Sequence, residues 1–271
     1  MINKNSRLPA KSLAEYVDIL QAGGRYAFNR DEASQALRTN GSAFKKAAAR
    51  LAAKGRILAM RRGFYVVVPI EYRTVGAPPP PWFIDELMRY LGRPYYVGVL
   101  SAAALYGAAH EQPQEFQVVT CVPERVVLAG RARIRFLVKK HHERTPTAKL
   151  KTETGFMLVS TPEATAIDLL RYVSAAGGLG NVATVLTELA ERIDGRKLVE
   201  AAQANGELAY SQRLGYVLER IGAGDRTTAL ARWIEKRRPR NTPLRPGKSI
   251  RGRPVERRFR IIVNEDIEAE R

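Results

Sequence analysis

Hydrophobic residues recur at helical spacing in three short stretches near the start of the chain. The first covers residues 12–23, and its apolar stripe consists of Leu13, Tyr16, Val17 and Leu20. Residues three and four positions apart share one face of an α-helix, so this spacing predicts an amphipathic helix. Ser12 and Glu15 form a capping box at its start, and the glycines at 23–24 end it.

The second and third stretches predict two more helices, over about residues 29–37 and over residues 42–54. Alanines favour a helix in the third stretch, and its apolar stripe consists of Phe44, Ala47, Ala48 and Leu51. Ser42 is its predicted N-cap. Gly55 is the predicted left-handed residue that ends the helix.

After Gly55 the pattern changes to two β-like runs, residues 56–60 and 64–68, joined by Arg61-Arg62-Gly63. A short loop that contains glycine between two such runs indicates a β-hairpin. Three helices followed by a hairpin predict a winged helix-turn-helix domain over residues 1–70. In that arrangement helix 42–54 is the DNA-recognition helix and the hairpin is the wing.

The remainder predicts a second, larger domain. Residues 71–81 contain four consecutive prolines and predict an extended, semi-rigid linker. Between residues 82 and 235, strand-like stretches come first and helical stretches follow, which predicts an α+β domain. Residues 236–271 begin with a segment rich in Arg, Pro and Gly, expected to be poorly ordered by itself, and include a possible closing strand at 259–264. The predicted fold class is therefore α+β.

The positive charge is concentrated in two places. The net charge is +18: residues 1–70 carry +9, residues 236–260 carry +10, and the rest of the chain carries −1. A polyanion is the expected partner of both regions, and nucleic acid is the commonest. The residues predicted to contact double-stranded DNA are Asn40, Ser42, Lys45, Lys46, Arg50, Lys54, Arg61 and Arg62.

Candidate catalytic and metal-binding chemistry is sparse. The chain has one cysteine, Cys121, and three histidines, so His141-His142 lacks the further ligands that a metal site needs. No catalytic residue, metal or other cofactor is predicted, and the protein is not expected to be an enzyme. A single cysteine fits a reducing compartment, and no apolar run approaches the ~20 residues of a membrane helix. We therefore expect a cytoplasmic protein without a membrane partner.

Three groups of residues carry a resemblance to a known family. They are the hairpin sequence 61–66, the stretch 95–110 (YYVGVLSAAALYGAAH) with 116–120 after it, and the stretch 160–169 with a later Gly-Gly-Leu at 177–179. Together they span most of residues 10–225. They resemble the antitoxin of bacterial AbiE-type (type IV) abortive-infection toxin–antitoxin systems.

The resemblance implies a protein with two roles. The N-terminal domain would bind repeats in its own promoter and repress the operon. The C-terminal domain would counter a cognate nucleotidyltransferase-like toxin, and the resemblance leaves open whether the two proteins touch. Two alternatives are a stand-alone winged-helix regulator whose C-terminal domain senses a ligand or partner, and a nuclease that acts on nucleic acid.

Several site assignments also have alternatives. The cations of helix 42–54 suit a solvated helix face, capping alone explains Asn40 and Ser42, and Arg61-Arg62 suits a plain charged turn. The basic run 236–260 is a nucleic-acid arm, a toxin-binding segment or a solubilising tail. A further candidate polyanion surface consists of Arg131, Arg133, Arg135, Lys139, Lys140, Lys149 and Lys151.

Overall fold

The computed structural model describes residues 10–108 and 113–267. The start of the predicted domain 1–70, the last two residues of the 95–110 stretch and the end of segment 236–271 lie outside the described residues.

Within residues 10–94, three helices and a hairpin follow one another as predicted. The elements are α1 (Leu13–Ala22), β1 (Ala27–Asn29), α2 (Arg30–Leu37), α3 (Gly41–Ala53), β2 (Ile57–Arg61), β3 (Phe64–Val67) and α4 (Ile84–Tyr90). The strands form a sheet in the order β1-β3-β2, and both pairs are antiparallel. Strand β1, directly before α2, thus adds a third strand to the predicted hairpin.

Residues 95–160 carry the strands of a larger sheet. The elements are β4 (Tyr95–Val97), α5 (Val99–Leu105), β5 (Glu115–Thr120), β6 (Val127–Ala129), β7 (Ala132–Val138), β8 (Thr147–Thr152) and β9 (Gly155–Ser160). The strand order is β6-β7-β5-β4-β9-β8. Strand β4 pairs antiparallel with β5 and parallel with β9, so the sheet is mixed.

Residues 161–267 are mainly helical. The elements are α6 (Pro162–Arg171), α7 (Leu179–Leu189), α8 (Gly195–Asn205), α9 (Leu208–Arg220), α10 (Thr228–Glu235), β10 (Thr242–Pro243), β11 (Val255–Glu256) and β12 (Ile261–Ile262). Thr161 caps α6, with Pro162 in the first turn, as the sequence predicts. The predicted α+β class, with a larger C-terminal region of strands and then helices, is confirmed.

The chain divides into two compact units. Unit one comprises the described residues up to Pro94, with 124–135 and 150–157, and unit two comprises the others. This division differs from the predicted domains because the proposed linker, 71–81, falls inside unit one. Trp82, just after the prolines, packs on the rings of Tyr26 and Tyr72, with centroid distances of 4.7 and 5.3 Å. The proline run is therefore packed into unit one instead of spacing two domains.

Each unit has its own hydrophobic core. In unit one, Phe28 and Phe44 are almost completely buried, and both contact the ring of Tyr65, at centroid distances of 5.4 and 5.6 Å. In unit two, α6, α7 and α9 contribute buried leucines that include Leu169 and Leu214. The stripes predicted on the first and third helices thus point into the core of unit one.

The segment after α10 is folded in the structure, where it packs on α9, and its predicted poor order by itself stays a prediction. Strand β12 pairs parallel with β10 and antiparallel with β11. Gln212 of α9 donates from Nε2 to the carbonyls of Arg240 and Phe259, at 3.0 and 2.9 Å. The buried ring of Phe259 fills the space over Gly215, where an added Cβ would lie 2.2 Å from a ring carbon. Contacts with α9 therefore hold a segment whose composition alone indicates disorder.

Candidate nucleic-acid interface

Helix α3 begins at Gly41 and uses a different cap from the predicted one. The Asn40 side chain accepts a hydrogen bond from the Ala43 N–H at 2.9 Å, so Asn40 is the N-cap. Ser42 lies in the first turn with an exposed side chain, and its predicted capping role is wrong. Gly55 has φ +64, the left-handed conformation predicted for it. Capping therefore engages the side-chain oxygen Oδ1 of Asn40 and leaves the Ser42 hydroxyl exposed.

Helix α3 buries one face and exposes the other. Phe44, Ala48 and Leu51 are buried in the core of unit one. The opposite row, at positions i, i+4, i+7 and i+11, consists of the exposed residues Ser42, Lys46, Ala49 and Ala53. Lys45 and Arg50 flank this row. Small side chains between cations allow the helix backbone to come close to a partner surface.

The cations of α3 have no carboxylate partners. All four are exposed and make no ion pair with a described residue: Lys45, Lys46, Arg50 and Lys54. Elsewhere in unit one, four arginines are paired with acids: Arg25 with Glu32, Arg56 with Asp18, Arg89 with Asp85, and Arg93 with Glu124. Four other exposed arginines make no ion pair with a described residue: Arg30, Arg38, Arg62 and Arg73. Helix α3 thus places four unpaired cations on one short element.

Glu32 illustrates how the acids of unit one are used. It accepts hydrogen bonds from the Arg25 guanidinium and from the Tyr16 hydroxyl, the latter at 2.9 Å. Burial raises the pKa of Glu32, but the bonds from Arg25 and Tyr16 lower it more, so the pKa lies below its ordinary value. At neutral pH this carboxylate is charged and already bound, and it does not neutralise α3.

The hairpin loop is held from α4. The Tyr90 hydroxyl donates to the Arg62 carbonyl at 2.8 Å. Gly63 has φ +81, and an added Cβ would lie 2.7 Å from that hydroxyl, so both the turn and the contact require glycine. The Arg62 side chain is exposed, whereas Arg61 is partly buried and donates to the Arg125 carbonyl. Arg62 is therefore available to a partner, and Arg61 is already engaged.

The structure thus exposes seven of the eight residues predicted to contact DNA, all except Arg61. They lie on α3, at its start and end, and at the hairpin of the same unit. The sequence analysis missed Tyr90, which positions the hairpin. Tyr90 belongs to an ordinary amphipathic helix, and no local pattern connects it with a loop 28 residues earlier.

Unit two contains a buried ion pair that the sequence analysis also missed. Lys139 Nζ lies 2.7 Å from Asp168 Oδ1, and the two side chains are 5% and 0% exposed. The Tyr96 hydroxyl donates to Asp168 Oδ2 at 2.7 Å. Burial, and then the charge of Asp168, raises the pKa of Tyr96. Lys139 therefore does not belong to the predicted polyanion surface, because its charge is matched inside the unit.

Residues 96–220 match the family model of the AbiEi antitoxin C-terminal domain. This segment begins at Tyr96 and includes both partners of the buried ion pair. Residues 96–220 thus form a domain of the AbiE-type antitoxin family. This domain supports an antitoxin role for the chain, as the resemblance in its sequence implied.

The antitoxin's fold is also found in a solved structure. The crystal structure of the RV2827C protein from Mycobacterium tuberculosis superposes with a TM-score of 0.66 at 16% sequence identity. The match covers 94% of this chain and 92% of that chain. At this identity the likeness concerns the fold alone. No curated protein sequence matches the antitoxin.

Two further observations concern metal ligands and membrane-spanning helices. Among residues 10–108 and 113–267, no group of three or more His, Cys, Asp or Glu side chains is placed to hold a metal ion. His141 is exposed and His142 is buried, so the adjacent histidines do not present one surface. Within the same residues, every helix is too short or too polar to cross a membrane.

Proposed function

We propose that this antitoxin binds duplex DNA in its own promoter through unit one and thereby represses its operon. Unit one would act as a winged helix-turn-helix domain, with α3 in the major groove and the hairpin beside it. We further propose that the antitoxin domain counters a nucleotidyltransferase-like toxin.

The unpaired cationic face of α3 carries the DNA-binding proposal. A merely solvated face ordinarily mixes acids with bases, but Gly41–Ala53 contains no acid, and the acids of this region lie in α1 and α2. Such a face repels itself in the free protein and releases counterions when it binds a polyanion. The arrangement therefore favours phosphate-rich DNA over an uncharged partner.

We also propose parts for individual side chains, on the basis of their positions on α3 and the hairpin. Ser42 and Lys46 are central to the exposed row, so they would face the base edges. Lys45 and Arg50, at its flanks, and Arg62, on the hairpin, would contact phosphates. Asn40 would mainly fix the start of the helix, because its side-chain oxygen is the cap.

The first test measures the salt dependence of binding to the promoter duplex. Each lost phosphate contact should reduce the slope of log K against log salt by about 0.9. Lys46→Ala/Arg50→Ala removes one proposed phosphate contact, that of Arg50, and should therefore reduce the slope by about 0.9. Between about 1 M and about 0.1 M salt, this change in slope corresponds to roughly 8-fold weaker binding at the lower salt concentration. Fluorescence anisotropy of a labelled promoter fragment gives both quantities.

A matched control removes the same charge from unit two. Arg192 and Arg196 are exposed and make no ion pair with a described residue, so Arg192→Ala/Arg196→Ala should bind the duplex with nearly unchanged slope. Equal binding by the control and the α3 variant would show that α3 is not the DNA-binding element.

Repression and toxin control are tested in cells with the full chain. Lys46→Ala/Arg50→Ala should derepress a promoter reporter and still rescue growth when the toxin is co-expressed. Cutting the chain at residue 70 would not separate the two roles cleanly, because unit one also includes residues 124–135 and 150–157. A neighbouring gene that encodes no nucleotidyltransferase-like protein, together with repression that responds to a small molecule, would instead indicate a stand-alone regulator.

A further inference from the structure

An open cleft of about 870 Å³ lies in unit two, outside the segment that matches the antitoxin domain. We call it the arginine cleft. Its walls are α10 and the segments that follow α10 and β11, and it is lined by Thr228, Ala231, Arg232, Glu235, Arg238, Pro239, Arg257, Arg258 and Arg260. Five of these nine residues are arginines, against a single acid.

Most of the charge in the arginine cleft is unpaired. Arg258 forms an ion pair with Glu219. The other four arginines make no ion pair with a described residue, and their side chains are exposed: Arg232, Arg238, Arg257 and Arg260. The cleft therefore presents a local excess of positive charge to solvent, separate from the face of α3.

The backbone of the arginine cleft is fixed. Glu256 accepts hydrogen bonds from the N–H groups of Arg258 and Phe259, at 2.6 and 2.8 Å. Arg238 and Arg260 have φ of +45 and +57, a left-handed conformation that costs energy for residues other than glycine. Only four such residues occur among residues 10–108 and 113–267, and two of them line this cleft. Both of these arginines therefore reach the cleft from strained backbone positions.

The lining chemistry identifies the kind of partner. Guanidinium groups match phosphate in a planar, two-point geometry. The nine lining residues include no aromatic ring on which a base could stack and no Asn or Gln to read base edges. Protein partners usually anchor on large apolar side chains, and the apolar lining here is only Ala231 and Pro239.

We propose that the arginine cleft binds the phosphodiester backbone of nucleic acid without reading its sequence. It is a second nucleic-acid contact, on a different unit from α3 and independent of whether α3 binds the promoter. The basic segment 236–260 thus forms part of a folded binding surface, and its charge is not merely solubilising.

The test uses the full chain with α3 disabled by Lys46→Ala/Arg50→Ala, so that the failure of one site does not hide the other. The probes are a labelled duplex of scrambled sequence and a labelled single-stranded RNA of equal length. Adding Arg232→Gln/Arg257→Gln should reduce the salt slope by about 1.8 and weaken binding near 0.1 M salt by up to roughly 60-fold. The probe with the larger loss identifies the preferred nucleic acid.

The chain offers matched controls. Arg251→Gln/Arg253→Gln removes the same charge from exposed positions of the same segment that do not line the cleft, and it should leave the slope unchanged. Arg232→Lys/Arg257→Lys keeps the charge and should keep most of the slope, which separates charge loss from a folding defect.

Two results would overturn the proposal. One is equal binding of both probes by the cleft variant and by the Arg251→Gln/Arg253→Gln control. The other is unchanged nucleic-acid binding accompanied by loss of toxin rescue, which would assign the cleft to a protein partner.

Discussion

The buried pair of Lys139 and Asp168 permits a quantitative prediction about the antitoxin domain. Lys139→Met removes the cation and keeps a side chain of similar length. It removes the hydrogen bond from Lys139 and leaves the Asp168 carboxylate buried in unit two, where the Tyr96 hydroxyl still donates a hydrogen bond to it. Asp168→Asn makes the converse change, because it strands the ammonium and preserves an acceptor for Tyr96.

The structure sets the size of the expected loss. At 2.7 Å, two unit charges attract by about 6 kcal/mol at an effective dielectric constant of about 20. The cost of removing both charges from water offsets part of this attraction. Taking away one partner of such a pair costs about 3–5 kcal/mol, because the other charge stays buried. We expect a loss of that size for each single variant.

The double variant separates charge pairing from simple packing. Lys139→Met/Asp168→Asn leaves no buried charge at the pair, so it should recover most of the loss of either single variant. The two substitutions should therefore be strongly non-additive, by about 2 kcal/mol or more, at the upper end of measured couplings between contacting residues. Urea denaturation followed by circular dichroism gives the free energies of unfolding that the cycle requires.

The measurement has a clear contrary outcome. A loss below about 1 kcal/mol for Lys139→Met, the range of exposed ion pairs, would show that this lysine is solvated in solution. Additive losses in the double variant would show that the two charges do not interact. The proposed promoter binding by α3 is the internal control, and we expect the variants to show the same DNA affinity as the wild type while they remain folded.

Three further predictions concern local features of the fold. Asn40→Ala should cost about 1 kcal/mol by removing the cap of α3, whereas Ser42→Ala should change thermal stability by less than about 0.5 kcal/mol; equal effects would contradict the cap assignment. Gly215→Ala would stabilise an ordinary helix, but here it should destabilise by about 1–3 kcal/mol because of Phe259, and adding Phe259→Leu should restore part of the loss. The pKa of Glu32 lies below its ordinary value because, although burial raises it, hydrogen bonds from a neighbouring arginine and tyrosine lower it more. The charged Glu32 therefore stabilises the fold above about pH 4.5, and this stabilisation disappears at lower pH. The difference in thermal midpoint between wild type and Glu32→Gln should accordingly shrink from pH 7 to pH 3.5.

Local patterns were sufficient to predict the first three helices and the hairpin. Their apolar stripes have helical spacing, and their ends carry residues with strong positional preferences. The choice between two competent caps was not decided by sequence: Asn40 and Ser42 both suit an N-cap, and the structure uses Asn40. The charged residues of α3 were predictable because an exposed helix face needs no long-range partner.

Long-range contacts account for the features that the sequence did not predict. Lys139 follows a strand and resembles a surface lysine, and only the fold brings Asp168 to it from α6, 29 residues later. The Arg-, Pro- and Gly-rich segment is ordered by Gln212 and by the space over Gly215, both on α9. The proline run reads as a spacer, but Trp82 packs it into unit one. No single-sequence pattern encodes such pairings.

Charge has two different uses in this antitoxin, and pairing distinguishes them. Arg25 and Lys139 are bound to carboxylates, so they stabilise their own units and contribute little field outside. The cations of α3 and of the arginine cleft have no such partners. Screening limits the reach of each excess to about 10 Å at 0.1 M salt, so each is expected to act through local contacts. A count of basic residues therefore predicts a polyanion partner, whereas clusters of cations without carboxylate partners predict the surfaces that it contacts.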